Sequence, residues 1–138
     1  QWDEGMYGGF SEAEPWLPIS AGFRKEITVK AQQKDPDSIL AFYKKLIAMR
    51  KKYPVIAKGE ISFLETETDM VLAYQRTLGE QQIVVFCNLD GKKQSIKADR
   101  KWRDYKVLLE NWDREMNLEE ESYAMEPYEF LVLGNMEK

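Results

Sequence analysis

The chain has 138 residues, 43% of them hydrophobic and 12% aromatic, with 20 basic and 24 acidic side chains, one cysteine and no histidine. This can build a domain-sized core, excludes a disordered chain, and offers no apolar run long enough to cross a bilayer. The net charge of -4, with both signs interspersed, marks no nucleic-acid or anionic membrane surface.

One cysteine cannot form an internal disulfide. Without histidine, Ser-His-Asp and Cys-His chemistry and any standard Cys/His zinc site are excluded. No cofactor and no metal site is expected. The chain opens on Gln1 with no apolar leader, which reads as a start inside a longer protein or after a removed leader.

Residues 1–34 read as an irregular segment, because Gly5, Gly8, Gly9, Pro15, Pro18 and Gly22 interrupt any regular period. They also carry Trp2, Tyr7, Phe10, Trp16, Leu17 and Phe23. A solvated linker is not this aromatic, so the segment is expected to pack on a body the chain does not obviously supply. The alternative is that it wraps this chain's own core.

Residues 35–53 predict a helix. Asp35 reads as its N-cap, Pro36 as its first residue, and Asp37 as negative charge at the positive dipole end. Ile39, Phe42, Tyr43, Leu46, Arg50 and Tyr53 keep helical spacing, while Leu40, Ile47 and Met49 widen the apolar face. The basic residues Lys44, Lys45, Arg50, Lys51 and Lys52 read as a solvated C-terminal half, and Pro54 as the stop. So broad a face predicts more than one neighbour.

From residue 55 onward the period changes. Segments 60–65, 70–76, 82–89, 93–98, 105–111 and 128–133 predict strands, joined by turns at 66–69, 77–80 and 88–91. Within 70–76, Met70, Leu72 and Tyr74 alternate with Val71, Ala73 and Gln75, which suits one strongly buried face. Gly91 is expected to supply positive φ at the third turn. Cys87 is expected to be a buried, inert thiol, and Glu119-Glu120-Glu121 a solvated loop. The fold class predicted is mainly β, an antiparallel Greek-key-type sandwich.

Glycosidic hydrolysis uses two facing carboxyl groups, and among 24 acidic residues a pair carries little information. Asp3 and Glu4 stand among Trp2, Tyr7 and Phe10, a mixture that serves sugar stacking or simply a loop held by its aromatics. No glycine-rich phosphate loop, calcium loop or nucleophile–base pair is visible. Taken residue by residue, the chain reads as non-catalytic.

The ordered segments Gln1-Trp2-Asp3, Gly8-Gly9-Phe10, Glu14-Pro15-Trp16-Leu17-Pro18, Lys25-Glu26-Ile27 and Asp35-Pro36-Asp37-Ser38-Ile39 resemble the late part of family 13 glycoside hydrolases. The resemblance continues through Tyr43-Lys44-Lys45-Leu46-Ile47, Ala73-Tyr74-Gln75-Arg76, Val84-Val85-Phe86-Cys87-Asn88 and Glu126-Pro127-Tyr128-Glu129. It points to the oligo-1,6-glucosidase, dextran glucosidase and trehalose-6-phosphate hydrolase branch.

This resemblance implies a retaining α-glucosidase with a (β/α)8 barrel and a C-terminal sandwich. Residues 1–54 would be the barrel's last loop and final helix, and 55–138 the C-terminal domain. The family's aspartate nucleophile, glutamate acid/base and second aspartate lie on earlier strands, so no catalytic residue is carried over. Gln1, Trp2, Asp3, Phe10 and Trp16 become candidates for the substrate rim or its support. The implied partners are the barrel of the parent chain and, for that parent, an oligosaccharide. The implied location is cytoplasmic.

In the isolated chain, residues 1–34 are expected to be disordered, to form a dimer contact, or to refold onto the sandwich, the dimer using exposed residues 1–53. Two other readings remain at this stage. One is an independent carbohydrate-binding sandwich with Trp102, Trp112 or Trp16 as stacking platforms, and the other is an interaction domain that docks through residues 1–53.

Overall fold

The computed structural model describes residues 1–19, 27–112 and 122–136. Gly22, Phe23, the Lys25-Glu26 pair and the Glu119–Glu121 run lie outside the described residues. The chain divides into two compact units, Gln1–Lys52 and Tyr53–Lys138.

The first unit contains a 3-10 turn, Met6–Gly9, and two helices, α1 (Val29–Gln32) and α2 (Ile39–Lys52). Thr28, fully buried, caps α1 by accepting the Ala31 N–H at 3.1 Å. The cap of α2 is Ser38, not Asp35: Ser38 Oγ accepts the Ala41 N–H at 3.2 Å and donates to the Gln32 carbonyl at 2.7 Å. Asp35 Oδ1 instead accepts the Asp37 N–H at 2.9 Å, so Asp35-Pro36-Asp37 forms the turn that precedes the helix.

No residue of α2 is buried, although Ile39, Leu40, Phe42, Tyr43, Leu46 and Ile47 all lie on it. Ile39, Tyr43 and Ile47, four residues apart, form one exposed apolar stripe, and Ile39 and Tyr43 are 72% and 59% exposed. The helix ends at Lys52, one residue before the predicted end, because Tyr53 caps a further helix, α3 (Pro54–Lys58), with Pro at its first turn. The same missing N–H that stops one helix suits the start of another.

The second unit is an antiparallel β-sandwich. Its strands are β1 (Glu60–Phe63), β2 (Val71–Leu78), β3 (Gln81–Asn88), β4 (Gln94–Lys97), β5 (Lys106–Glu110), β6 (Ser122–Met125) and β7 (Phe130–Gly134). A five-stranded sheet runs in the order β1-β2-β3-β7-β5, and β4 pairs with β6 in a second, two-stranded sheet. The chain leaves the large sheet after β3, returns as β5 at its far edge, and closes as β7 between the two. Strand β6 had no counterpart among the predicted strands.

On β2 the buried face is Val71 and Ala73, while Met70 and Leu72 are exposed. These join Val84, Phe86, Leu131 and Leu133 of the large sheet with Ile96, Tyr123 and Met125 of the small one in a single core. On the other sheet face Ile83 packs with Val55 of α3 and Met136. Covering on both faces explains why 83–86 is a continuous apolar run and not an alternating one.

Two turns differ from expectation. The hairpin β2–β3 closes at Leu78 opposite Gln81, leaving only Gly79 and Glu80, with Gly79 at φ 59°. At 88–91 the geometry comes from Asn88: its Oδ1 accepts the Asp90 N–H at 2.9 Å, and its amide donates to the carbonyls of Lys92 and Glu126. Gly91 is not left-handed. Its bare Cα leaves room for the Tyr128 hydroxyl, which a Cβ would meet at 3.2 Å. Tyr128 itself has φ 56°, so β7 starts at Phe130 and not at 128.

Glu129, fully buried, holds this corner together. Its carboxylate accepts the Tyr123 hydroxyl at 2.8 Å and the Glu126 N–H at 2.5 Å, while its carbonyl accepts the Asn88 N–H at 2.8 Å. Glu129→Ala removes the acceptor of the buried Tyr123 hydroxyl and of the part-buried Glu126 N–H, and is expected to cost about 2–4 kcal/mol in urea unfolding. Lys93→Ala removes only the exposed ion pair to Glu126 and is expected to cost under about 1 kcal/mol. Equal losses in the two variants would contradict this account of the corner.

Candidate functional site

The first unit carries a groove built on its glycine turn. Tyr7, Gly8 and Gly9 are consecutively left-handed, at φ 55°, 67° and 66°. The backbone N–H groups of Trp2 and Asp3 both donate to the Gly8 carbonyl, at 2.8 and 3.1 Å. The carbonyls of Gln1 and Trp2 accept the N–H groups of Val29 and Lys30, at 3.0 and 2.9 Å. Residues 1–3 therefore tie the turn to the start of α1.

The side chains of Gln1 and Asp3 fill the space beside Gly8 and Gly9. A Cβ on Gly8 would lie 2.8 Å from Cγ of Gln1, and one on Gly9 would lie 2.6 Å from Oδ1 of Asp3. The glycines are needed for both φ and space.

The groove has a volume of about 650 Å³ and is lined by Gln1, Tyr7, Phe10, Glu14, Trp16 and Leu17 among others. Of the five rim candidates, Gln1, Phe10 and Trp16 meet in this lining. Trp2 and Asp3 do not: Trp2 serves through its backbone, and Asp3 Oδ1 accepts the Gly5 N–H at 2.8 Å to brace the turn. Tyr7 and Glu14 belong to the lining without having been singled out for it. The left-handed turn folds Tyr7 back toward Phe10, and only the Gly8-Gly9 pair signals that turn in the sequence.

Trp16 and Phe10 are 90% and 73% exposed, and Trp2 is exposed as well. Refolding that covers these rings is therefore not observed. Glu14 is the one acidic side chain among the described residues of the lining, so the groove holds no facing carboxyl pair of the kind hydrolysis uses.

Of the three tryptophans considered above as stacking platforms, the structure removes Trp102. Trp102 is only 5% exposed and packs edge-on against Phe86, with ring centres 5.2 Å apart. It sits at the end of a 3-10 turn, Arg100–Trp102, with the Lys101 ammonium 5.3 Å from the centre of its ring. Trp112 is exposed, without Trp102 beside it as a second platform. Cys87 is half-buried and not fully buried, and desolvation pushes its thiol above the ordinary cysteine range, away from the reactive thiolate.

Sandwich and loop together match known families. Residues 61–132 match the maltogenic amylase C-terminal domain, and residues 1–59 match the α-amylase catalytic domain. The chain belongs to the maltogenic amylase C-terminal domain family, the C-terminal part of family 13 glycoside hydrolases.

Among individual proteins, it is 36% identical to the oligo-1,6-glucosidase of Halalkalibacterium halodurans across 99% of its own length. It is 33% identical to the glucan 1,6-α-glucosidase of Streptococcus pneumoniae across 90%. The chain spans 25% and 22% of those two relatives. The trehalulose synthase of Pseudomonas mesoacidophila MX-45 shares the fold, with a TM-score of 0.85 at 23% identity over 97% of this chain and 24% of that one.

The turn is testable by itself. Gly8→Ala is expected to release it and expose residues 4–11 to limited proteolysis. Gly79→Ala is equally left-handed but has no atom within 4 Å of a new Cβ, and is expected to keep the original cleavage pattern. An unchanged pattern in Gly8→Ala would refute the steric argument.

Proposed function

We propose that this chain is the C-terminal portion of an α-glucosidase that hydrolyses α-glucosidic bonds, chiefly α-1,6, in short oligosaccharides. In this reading residues 1–54 complete a (β/α)8 catalytic barrel as its last loop and final helix. Residues 55–138 are the sandwich that braces it. The names of the two relatives support the substrate class, and the catalytic-domain match over 1–59 supports the division of labour.

One observation carries the reading: a 14-residue helix with no buried residue and an apolar stripe of Ile39, Tyr43 and Ile47. A helix earns most of its stability by packing an apolar face, so this stripe calls for a covering surface. An apolar notch of about 230 Å³ between Val29, Gln32, Ile39, Leu40 and Tyr43 adds a receptacle on the same side. In the isolated chain the stripe would also serve self-association, which makes a dimer through residues 1–53 part of the proposal.

Gln1, Phe10 and Trp16 would shape the rim of the pocket, with Trp2 and Asp3 supporting the turn beneath them. Barrel active sites sit on the side that carries such loops. Chemistry would rest on carboxylates outside this chain, and the chain's own part is structural. A cytoplasmic location is included in the reading, as the family resemblance implies. Among the described residues no helix is long and apolar enough to cross a membrane.

Two outcomes are expected. The purified chain alone releases no glucose from isomaltose. Tyr43→Asp with Ile47→Asp lowers the stability of the longer protein by about 2–4 kcal/mol and reduces its activity, while changing the unfolding of the isolated chain by less than about 1 kcal/mol. Glucose release by the chain alone, or equal effects in both settings, would overturn the proposal.

A further inference from the structure

The five-stranded sheet is apolar on both of its faces, and the core between the sheets accounts for only one. Val71, Ala73, Val84, Phe86, Leu131 and Leu133 belong to that core. Side chains alternate along a strand, so Leu72, Tyr74, Val85, Cys87, Phe130 and Val132 point the other way. The register sets Phe63, Tyr74, Val85, Val132 and Leu109 in one row across all five strands. Leu72, Cys87 and Phe130 form the row beside it.

Neither row holds a charged side chain. In the row on the other side, Ile61, Arg76 and Ile83, the Arg76 guanidinium donates to the Gly59 carbonyl at the end of α3, at 2.7 Å. An antiparallel sheet whose outer face meets water is polar there. The small sheet follows that rule: its outward residues are Ser95 and Lys97 on β4 and Ser122 and Ala124 on β6. On the large sheet the outward residues are hydrophobic, and toward the β1 edge they lie open. Phe63 is 72% exposed, Ile61 53%, and Leu72 is exposed as well.

One end of this face is covered, and its cover points to the occupant of the rest. Val55 of α3, fully buried, packs with Ile83 and Met136. The match to the α-amylase catalytic domain runs to residue 59 and so includes α3. In the first relative named above, three quarters of the length lies outside the part this chain spans.

We propose that the outer face of the five-stranded sheet is the surface on which the rest of the catalytic domain seats, spreading from α3 over the rows of Tyr74 and Leu72 to Phe63 at the β1 edge. The contact is apolar, and it excludes water from a face that carries no group needing water except Arg76, which α3 already engages. This rests on the proposed function, in which a catalytic domain precedes the sandwich, and adds the face that does the bracing.

Thiol labelling with a maleimide tests it, in this chain and in the longer protein, read peptide by peptide so that Cys87 is counted apart. Phe63→Cys and Ile61→Cys each place an exposed thiol on the face, and Ser95→Cys places one on the outward side of the small sheet. The face thiols are expected to react about tenfold or more slower in the longer protein, while Ser95→Cys reacts equally fast in both. Equal rates for the face thiols, in a longer protein that still hydrolyses isomaltose, would overturn the interface and leave the enzymatic reading standing. Slowing within this chain alone as its concentration rises would give the face to a second copy, and would overturn the interface too.

Discussion

Apolar surface left in water is the constraint on which the account of this chain rests. Burial of a side chain such as isoleucine is worth roughly 1.5–3 kcal/mol, and a helix that forgoes it has little else to hold it in place. α2 forgoes it along Ile39, Tyr43 and Ile47, and the aromatic groove of Phe10 and Trp16 does the same on the loop before it. Local interactions in this unit are nevertheless well made. Ser38 and Thr28 cap their helices, and the glycine turn is tied to α1 by paired backbone hydrogen bonds. Local order combined with unsatisfied apolar area is the signature of a surface built for contact.

The second unit follows the opposite logic. Its core closes between two sheets, α3 covers Ile83 from the other side, and a buried carboxylate locks the corner where β3, β6 and β7 meet. Such a carboxylate is expensive to desolvate and is tolerated because each of its oxygens accepts a hydrogen bond. Asn88 and the 126–129 turn, which carry part of the family resemblance, belong to this corner. In this chain those motifs serve the fold of the sandwich.

Much of this was legible from residue order. The 3.6-residue period exposed α2, and short β-branched runs exposed six strands at nearly their observed places. What was misread had local causes. Asp35 and Ser38 are both good caps three residues apart, and nothing local decides between them. β6, Ser122–Met125, has no β-branched residue and follows directly on the Glu119–Glu121 run, so it reads as the end of a polar loop. Lys101 and Arg103 flank Trp102 and suggest a solvated ring, whereas the 3-10 turn Arg100–Trp102 carries the indole into the core and leaves the Lys101 ammonium over its face. In the groove, Gly8 and Gly9 announced a turn, but which aromatics it would gather depended on left-handed backbone at Tyr7, a residue type that gives no warning of it.

The most direct measurement compares oxidative labelling of Tyr43 and Tyr128, both well exposed in this chain, in the isolated chain and in the longer protein that carries it. Tyr128 serves as the reference on the sandwich. If the α2 stripe is a contact surface, the Tyr43-to-Tyr128 labelling ratio falls by about tenfold in the longer protein. An unchanged ratio would mean that the stripe faces water there too, and the contact-surface account would be wrong.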